Sequence, residues 1–434
     1  MKQTLLGLLL IVTPLATRAG SIDVEAATNV FAAAHAACSK DNGALWGVSL
    51  CGPILIADPA TRDAVASESD GAGVLSESDG VFVGVLPKDV GIANHALDWA
   101  GRKWTMAMWP LPERKDIRTQ LLMHESWHRI QAVIGFPQTS PTNAHLDSLE
   151  GRTWLRREWR ALKKALESEG NERRSAVMHA ILFREHRREI LPGSEHSERS
   201  LEMHEGLAEY TGVALSAQDS ATAAVRAIEM IDQYDGIGGF VRTFAYASGP
   251  AYGVLLDLAG SDWRTGLDSE DDFTGLILQS YQLDLPTSIA TWARRMQRNY
   301  SDSEMQDEES ARAKQKGLEQ AAFRAKFLDE RVLILPFESM QMEFDPNRVK
   351  PLDPFGTVYE TIVLRDTWGR LTVRSGGILL DKSFSNARLP LPSGTGQDVR
   401  ETNEWTLELN EGWSITDSEA RPPHWVVAKK VVTR

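Results

Sequence analysis

Residues 121–136, LLMHESWHRIQAVIGF, place His124, Glu125 and His128 in a run with helical periodicity. Side chains four apart on a helix stand one above the other on the same face. Imidazoles at 124 and 128 can therefore both reach one ion at about 2.0–2.1 Å. Glu125 projects roughly 100° further round the helix, where it flanks such an ion instead of binding it. Two ligands and a general base from one helical turn are what an HExxH pattern supplies. The competing account is a helix that carries two solvent-facing histidines.

Outward from this stretch, the helix ends at Gly135 and Phe136-Pro137, and a third ligand is needed, because catalytic zinc usually takes three protein ligands. Glu205, in SERSLEMHEGLAEYTGVAL at 197–215, is the candidate, with Glu202, His204 and Glu209 as competitors. Glu209 lies one turn beyond Glu205 on the same face, where it could orient a ligating histidine through its other ring nitrogen. His204 points to a neighbouring face and reads as a packed or surface histidine. Between the two segments, 143–170 and 171–193 are long amphipathic patterns closed by Gly170 and Pro192-Gly193. Helical periodicity dominates 113–330, and its last part, 301–331, is dense in both charge signs, as a solvated helix face is.

His124-Glu125-x-x-His128 followed by EGLAEY at 205–210 resembles the gluzincin metallopeptidases, including the zinc aminopeptidases. The resemblance spans about 113–260 and implies a mostly helical zinc-peptidase-like catalytic domain holding one Zn²⁺ per chain. It implies His124, His128 and Glu205 as ligands, Glu125 as base and then acid, and a peptide or protein as substrate. Tyr246, three residues before Gly249 in FAYASGPAYGVLLD, matches the tyrosine of that family which stabilises the oxyanion. Tyr252 is the alternative for that role, and His145 and His196 are further histidines without an assignment. Three departures stand out: 76 residues separate His128 from Glu205, far more than in the aminopeptidases, His204 occupies a position where the family often has Asn, and the motif that holds a substrate's free amino terminus is missing.

The flanking regions differ in texture. Residues 20–112 read as β-rich, with strand-like runs ALWGVSL, PILIAD, VFVGVLP and KWTMAMW between turn signals. KWTMAMW at 103–109 directly precedes the metal-binding stretch and is the candidate edge strand for an extended peptide, with an interior strand as the equal alternative. SESDG occurs at 67–71 and again at 76–80, which reads as two turns of similar chemistry. Residues 331–434 return to alternating, β-branched runs and form a small C-terminal β-domain. The expected class is α+β.

Residues 1–19 carry one Lys and then an apolar run from Leu5 to Leu15, the pattern of a signal peptide cut near Ala19. A short retained anchor is the alternative. The expectation is a secreted or periplasmic protein, not inserted in a membrane after cleavage. Export makes Cys38 and Cys51, the two cysteines, a plausible disulfide. Lys+Arg number 47 against 60 Asp+Glu, a net charge of −13 that repels phosphate and argues against nucleic acid as a partner. Two other functions fit the same residues: a non-catalytic metal-binding or interaction module, and a hydrolase of a non-peptide amide. A structural metal site would normally be closed by four protein ligands, and three are evident here.

Overall fold

Asp23 opens the first helix, α1 (Val24–Asp41), by accepting a hydrogen bond from the Ala26 amide at 3.0 Å. The structure, a computed structural model, describes residues 22–391, 399–418 and 424–430; the expected signal peptide lies outside the described residues. The architecture is α+β. The region 20–112 thus begins with a helix, which the strand-like texture after residue 40 obscures. Its face of Ala27, Phe31, Ala34 and Cys38 is buried in the main core. ALWGVSL forms turns and not a strand, because the Asp41 carboxylate captures the amides of Gly43 and Leu45. Cys38 and Cys51 form a disulfide that ties the end of α1 to the start of the sheet.

Six strands then build one sheet: β1 (Ile54–Ala57), β2 (Asp63–Ala66), β3 (Leu75–Ser78), β4 (Val81–Val85), β5 (His95–Trp99) and β6 (Arg102–Met108). Their order is β3-β4-β2-β1-β6-β5. KWTMAMW is therefore an interior strand and not the expected edge, parallel to β1 on one side and antiparallel to β5 on the other. The edge is β5. Trp104 and Met106 fill one face of β6 and Thr105 and Ala107 the other, the double burial of a central strand. The two SESDG copies do different work. Asp70 of the first is buried and accepts the amides of Ala72, Gly73, Val74 and Leu75. In the second, Asp79-Gly80 takes positive φ at both positions and closes the β3–β4 hairpin.

The helices follow as α2 (Lys115–Ile130), α3 (Leu149–Glu167), α4 (Gly170–Ile190), α5 (Ser194–Leu201), α6 (Leu207–Ser216), α7 (Ser220–Ile237) and α8 (Phe240–Leu258). A π turn, Glu202–Gly206, joins α5 to α6. Between α3, α4 and α5 lies a fully buried ionic network. Arg184 pairs with Glu158 and Glu202, and Arg187 pairs with Glu158 and Glu198. Such clusters are tolerated only when each charge is met by a partner in good geometry. Two short helices, α9 (Phe273–Tyr281) and α10 (Ile289–Met296), and the 22-residue α11 (Ser303–Arg324) complete the helical part. Among the described residues no helix is long and apolar enough to cross a membrane.

The chain forms two compact units, 1–309 and 310–434, with the division inside α11. The first unit holds the six-stranded sheet together with the helices, whereas the change of sequence texture suggests boundaries near residues 112 and 330. The second contains a seven-stranded and a four-stranded sheet. Trp368, Leu371, Trp405 and Leu407 lie in a core that both sheets share.

Candidate metal centre

α2 is buried almost all round: Leu122, Met123, His124, Glu125, Ser126, Trp127 and His128 are each less than a tenth exposed. A helix carrying histidines for solvent would not be placed so. Ser126 meets Thr105 of β6 at 3.1 Å, and Trp127 lies in an aromatic cluster with Trp46. On another side α6 lies close, because Gly212 has no side chain to strike the Gln120 carbonyl; a Cβ there would be 2.6 Å from that oxygen. The π turn just before α6 turns Glu205 toward α2 while Glu202 faces Arg184. In a regular helix residues three apart share a face, and the wider turn separates them. Such turns recur at functional sites.

The outcome is a convergence of three atoms. His124 Nε2 and His128 Nε2 are 3.1 Å apart, and Glu205 Oε2 is 3.5 Å from the first and 3.4 Å from the second. Donors bound at 2.0–2.1 Å around a four-coordinate ion are about 3.3 Å from one another. The three separations match that spacing without rearrangement. His124, His128 and Glu205 are the one such group of His, Cys, Asp or Glu among the described residues.

Each imidazole is held from behind. His124 Nδ1 contacts Glu209 Oε2 at 2.5 Å, and Gln120 donates to the other Glu209 oxygen. His128 Nδ1 contacts Gln131 Oε1 at 2.8 Å. Acceptors at both Nδ1 atoms fix the tautomers that leave Nε2 with a lone pair, as a metal ligand requires. Burial pulls the His124 pKa down, but the Glu209 and Glu205 carboxylates outweigh it and hold the imidazole well above its usual value. Burial works against Glu205 as an anion, yet its contacts with the two imidazoles keep the carboxyl far below the usual range. A cation placed among these atoms would take over the role of that proton.

Glu125 lies in the same cavity, of about 420 Å³, which His204, Glu205 and Tyr246 also line. Its Oε2 is buried with no hydrogen-bond partner among the described residues, and burial raises its pKa. A carboxylate with a raised pKa is a stronger base. Tyr246 on α8 donates to Glu205 Oε2 at 2.7 Å and stacks on His124 with 7° between the ring planes. α8 comes this near because Gly249 meets Gly206: a Cβ on Gly249 would be 2.3 Å from the Gly206 Cα.

Of the residues singled out in the sequence, His124, Glu125, His128, Glu205, Glu209 and Tyr246 are brought together. Tyr252 is not among them; it is fully buried and donates to Glu158. His145 bonds Glu198 and His196 contacts Arg199, both outside the cavity. Glu202 belongs to the ionic network. His204, which the sequence places on a neighbouring face, lines the cavity, and burial followed by the neighbouring His128 pushes its pKa down to about 4. Gln131, Asn94 and His95 have no place in the sequence reading. Gln131 is accessible from its i+3 spacing to His128; Asn94 and His95 arrive through strand pairing, which leaves no local signal. Comparison of the chain with protein-family models, with curated proteins and with solved structures yields no match.

Proposed function

We propose that the protein is a zinc-dependent hydrolase of the gluzincin type that cleaves peptide bonds. The carrying observation is the spacing of His124 Nε2, His128 Nε2 and Glu205 Oε2 beside Glu125 Oε2, which has no hydrogen-bond partner among the described residues. Two imidazoles and one carboxylate in this spacing suit Zn²⁺. Bound there, the ion would lower the pKa of a water and polarise a carbonyl. The chain's own residues supply the rest. Glu125, poised by burial, takes a proton from water and returns it to the leaving amine. Glu209 and Gln131 hold the ligand rings in register. Tyr246 holds Glu205 through its one hydroxyl hydrogen, which would turn to the oxyanion only by releasing that carboxylate.

A peptide is favoured as substrate because β5 is a free sheet edge and Ala96 on it lines the cavity together with Asn94 and His95. An extended chain can add to such an edge through backbone hydrogen bonds. The test is metal content by mass spectrometry of the purified protein, together with turnover of a peptide library. About one zinc per chain is expected, sharply reduced in Glu205→Ala; Glu125→Gln should keep the zinc and lose turnover. Full turnover in Glu125→Gln would remove the mechanism, and a wild-type protein that takes up no zinc on reconstitution would remove the metal centre.

A further inference from the structure

Gln131 is completely buried, and its amide is bonded at both ends. Its Nε2 lies 2.9 Å from the carbonyl oxygen of Pro137, a group that can only accept, so this end of the amide is the NH₂. The opposite end, Oε1, is then the acceptor that meets His128 Nδ1 at 2.8 Å. That orientation agrees with the need for a lone pair on His128 Nε2. The second amide hydrogen points to His204 Nδ1 at 2.7 Å. His204 Nδ1 must therefore be the unprotonated nitrogen of a neutral ring, and the hydrogen sits on Nε2.

One glutamine thus imposes opposite tautomers on two neighbouring histidines whose ring centroids are 4.8 Å apart. His128 offers a lone pair at Nε2, and His204 offers an N–H. An Nε2 that carries hydrogen cannot bind a metal, so His204 is kept from becoming a fourth protein ligand. That hydrogen has no good acceptor among the described residues: Glu205 Oε1, at 3.4 Å, is beyond ordinary hydrogen-bond length. His204 nonetheless lines the cavity.

We propose that His204 is a catalytic hydrogen-bond donor, its Nε2–H fixed by Gln131 and directed at an oxygen of the acyl compound bound at the metal centre. Gln131 is the positioning residue. The assignment rests on the metal-centre reading above, and it gives the pocket a donor where negative charge would develop on an oxygen, a role the Tyr246 hydroxyl cannot fill while its one hydrogen goes to Glu205 Oε2.

The experiment uses the full-length chain labelled with ¹⁵N-histidine, zinc-loaded and metal-free. Two-bond ¹H–¹⁵N spectra distinguish the two imidazole tautomers, with His204 and His128 identified by loss of their signals in His204→Phe and His128→Asn. The expected result is hydrogen on Nε2 in His204 and on Nδ1 in zinc-loaded His128. Hydrogen on Nδ1 of His204 would overturn the proposal. Gln131→Glu replaces the donor by a carboxylate that only accepts, and should move the His204 hydrogen to Nδ1; the wild-type spectrum decides the matter if that variant does not fold. Calorimetry with acetohydroxamate then reads the donor itself. Zinc-loaded His204→Phe should bind it roughly ten- to hundredfold more weakly at unchanged zinc content, and equal affinity would overturn the donor role. Both readouts are independent of peptide turnover. A protein with these tautomers and this binding but no peptide hydrolysis would lose the peptidase reading and keep the His204 assignment.

Discussion

Replacing Gly249 by alanine tests whether the approach of α8 to the π turn builds the candidate metal centre. The added Cβ would stand 2.3 Å from the Cα and 2.4 Å from the carbonyl oxygen of Gly206, where ordinary contact begins at 3.4 Å. Both obstacles are backbone, so no side chain can swing aside, and the two segments must part by about 1 Å. Gly206 directly follows Glu205, and Tyr246 lies one turn before Gly249 on α8. The 2.7 Å bond from the Tyr246 hydroxyl to Glu205 Oε2 would lengthen past hydrogen-bonding range, and Glu205 would move off its 3.4–3.5 Å spacing to the histidines. Overpacking of this kind costs about 1–3 kcal/mol. Disturbing the groups that orient ligands lowers metal affinity roughly 10–100-fold. Thermal unfolding and zinc affinity, measured by competition with a chromophoric chelator, read the two effects separately. Unchanged zinc affinity together with an unchanged unfolding temperature would refute the claim that this glycine contact positions Glu205. A fall in stability with zinc affinity intact would show that the contact serves packing alone.

Three further outcomes are expected. Glu209→Gln removes the charge behind His124 and sets an amide against the Gln120 amide, so zinc affinity should fall about 10–100-fold by chelator competition, with secondary structure by circular dichroism unchanged. Cys38→Ser opens the loop closed by the Cys38–Cys51 bridge, at a cost of about 3 kcal/mol in the chain-entropy account. That corresponds to an unfolding temperature roughly 4–6 °C lower in calorimetry. Acid should unfold the first unit steeply. Burial disfavours the charged form of Glu198, but Arg187, with His145 and Arg188, holds its carboxyl well below the usual range; at Asp272, too, burial is outweighed by Arg184 and Arg188. The stability these groups contribute is present above the unfolded carboxylate pKa, about 4, and is lost as pH falls below it. Urea midpoints measured from pH 7 to pH 3 check this, and a midpoint that stays level below pH 4 would contradict it.

Local patterns are informative wherever a segment's own chemistry decides its structure. The 3.6-residue periodicity around His124 places a helix whose start and end are set by neighbouring residues, and the strand runs of the second unit follow side-chain alternation. Segment 40–50 escapes because Asp41 captures two backbone amides, an option that competes with strand formation and that the apolar pattern of ALWGVSL does not reveal. KWTMAMW escapes for a different reason. Alternation on a strand says that side chains face two ways, and both of its faces are buried.

The sequence alone determined that His124 and His128 share one helical face with Glu125 beside them, since that follows from helix geometry, and it nominated Glu205 and Glu209 by chemistry and spacing. Only the tertiary structure put Tyr246 and not Tyr252 at the cavity, brought His204 from the margin into it, and set β5 instead of β6 at the edge. Each of those outcomes depends on contacts between segments far apart in the chain: Gly206 against Gly249, Gln131 against His204, β5 and β1 on either side of β6. Local propensity carries no record of such partners, because the energy that selects them belongs to the packed whole.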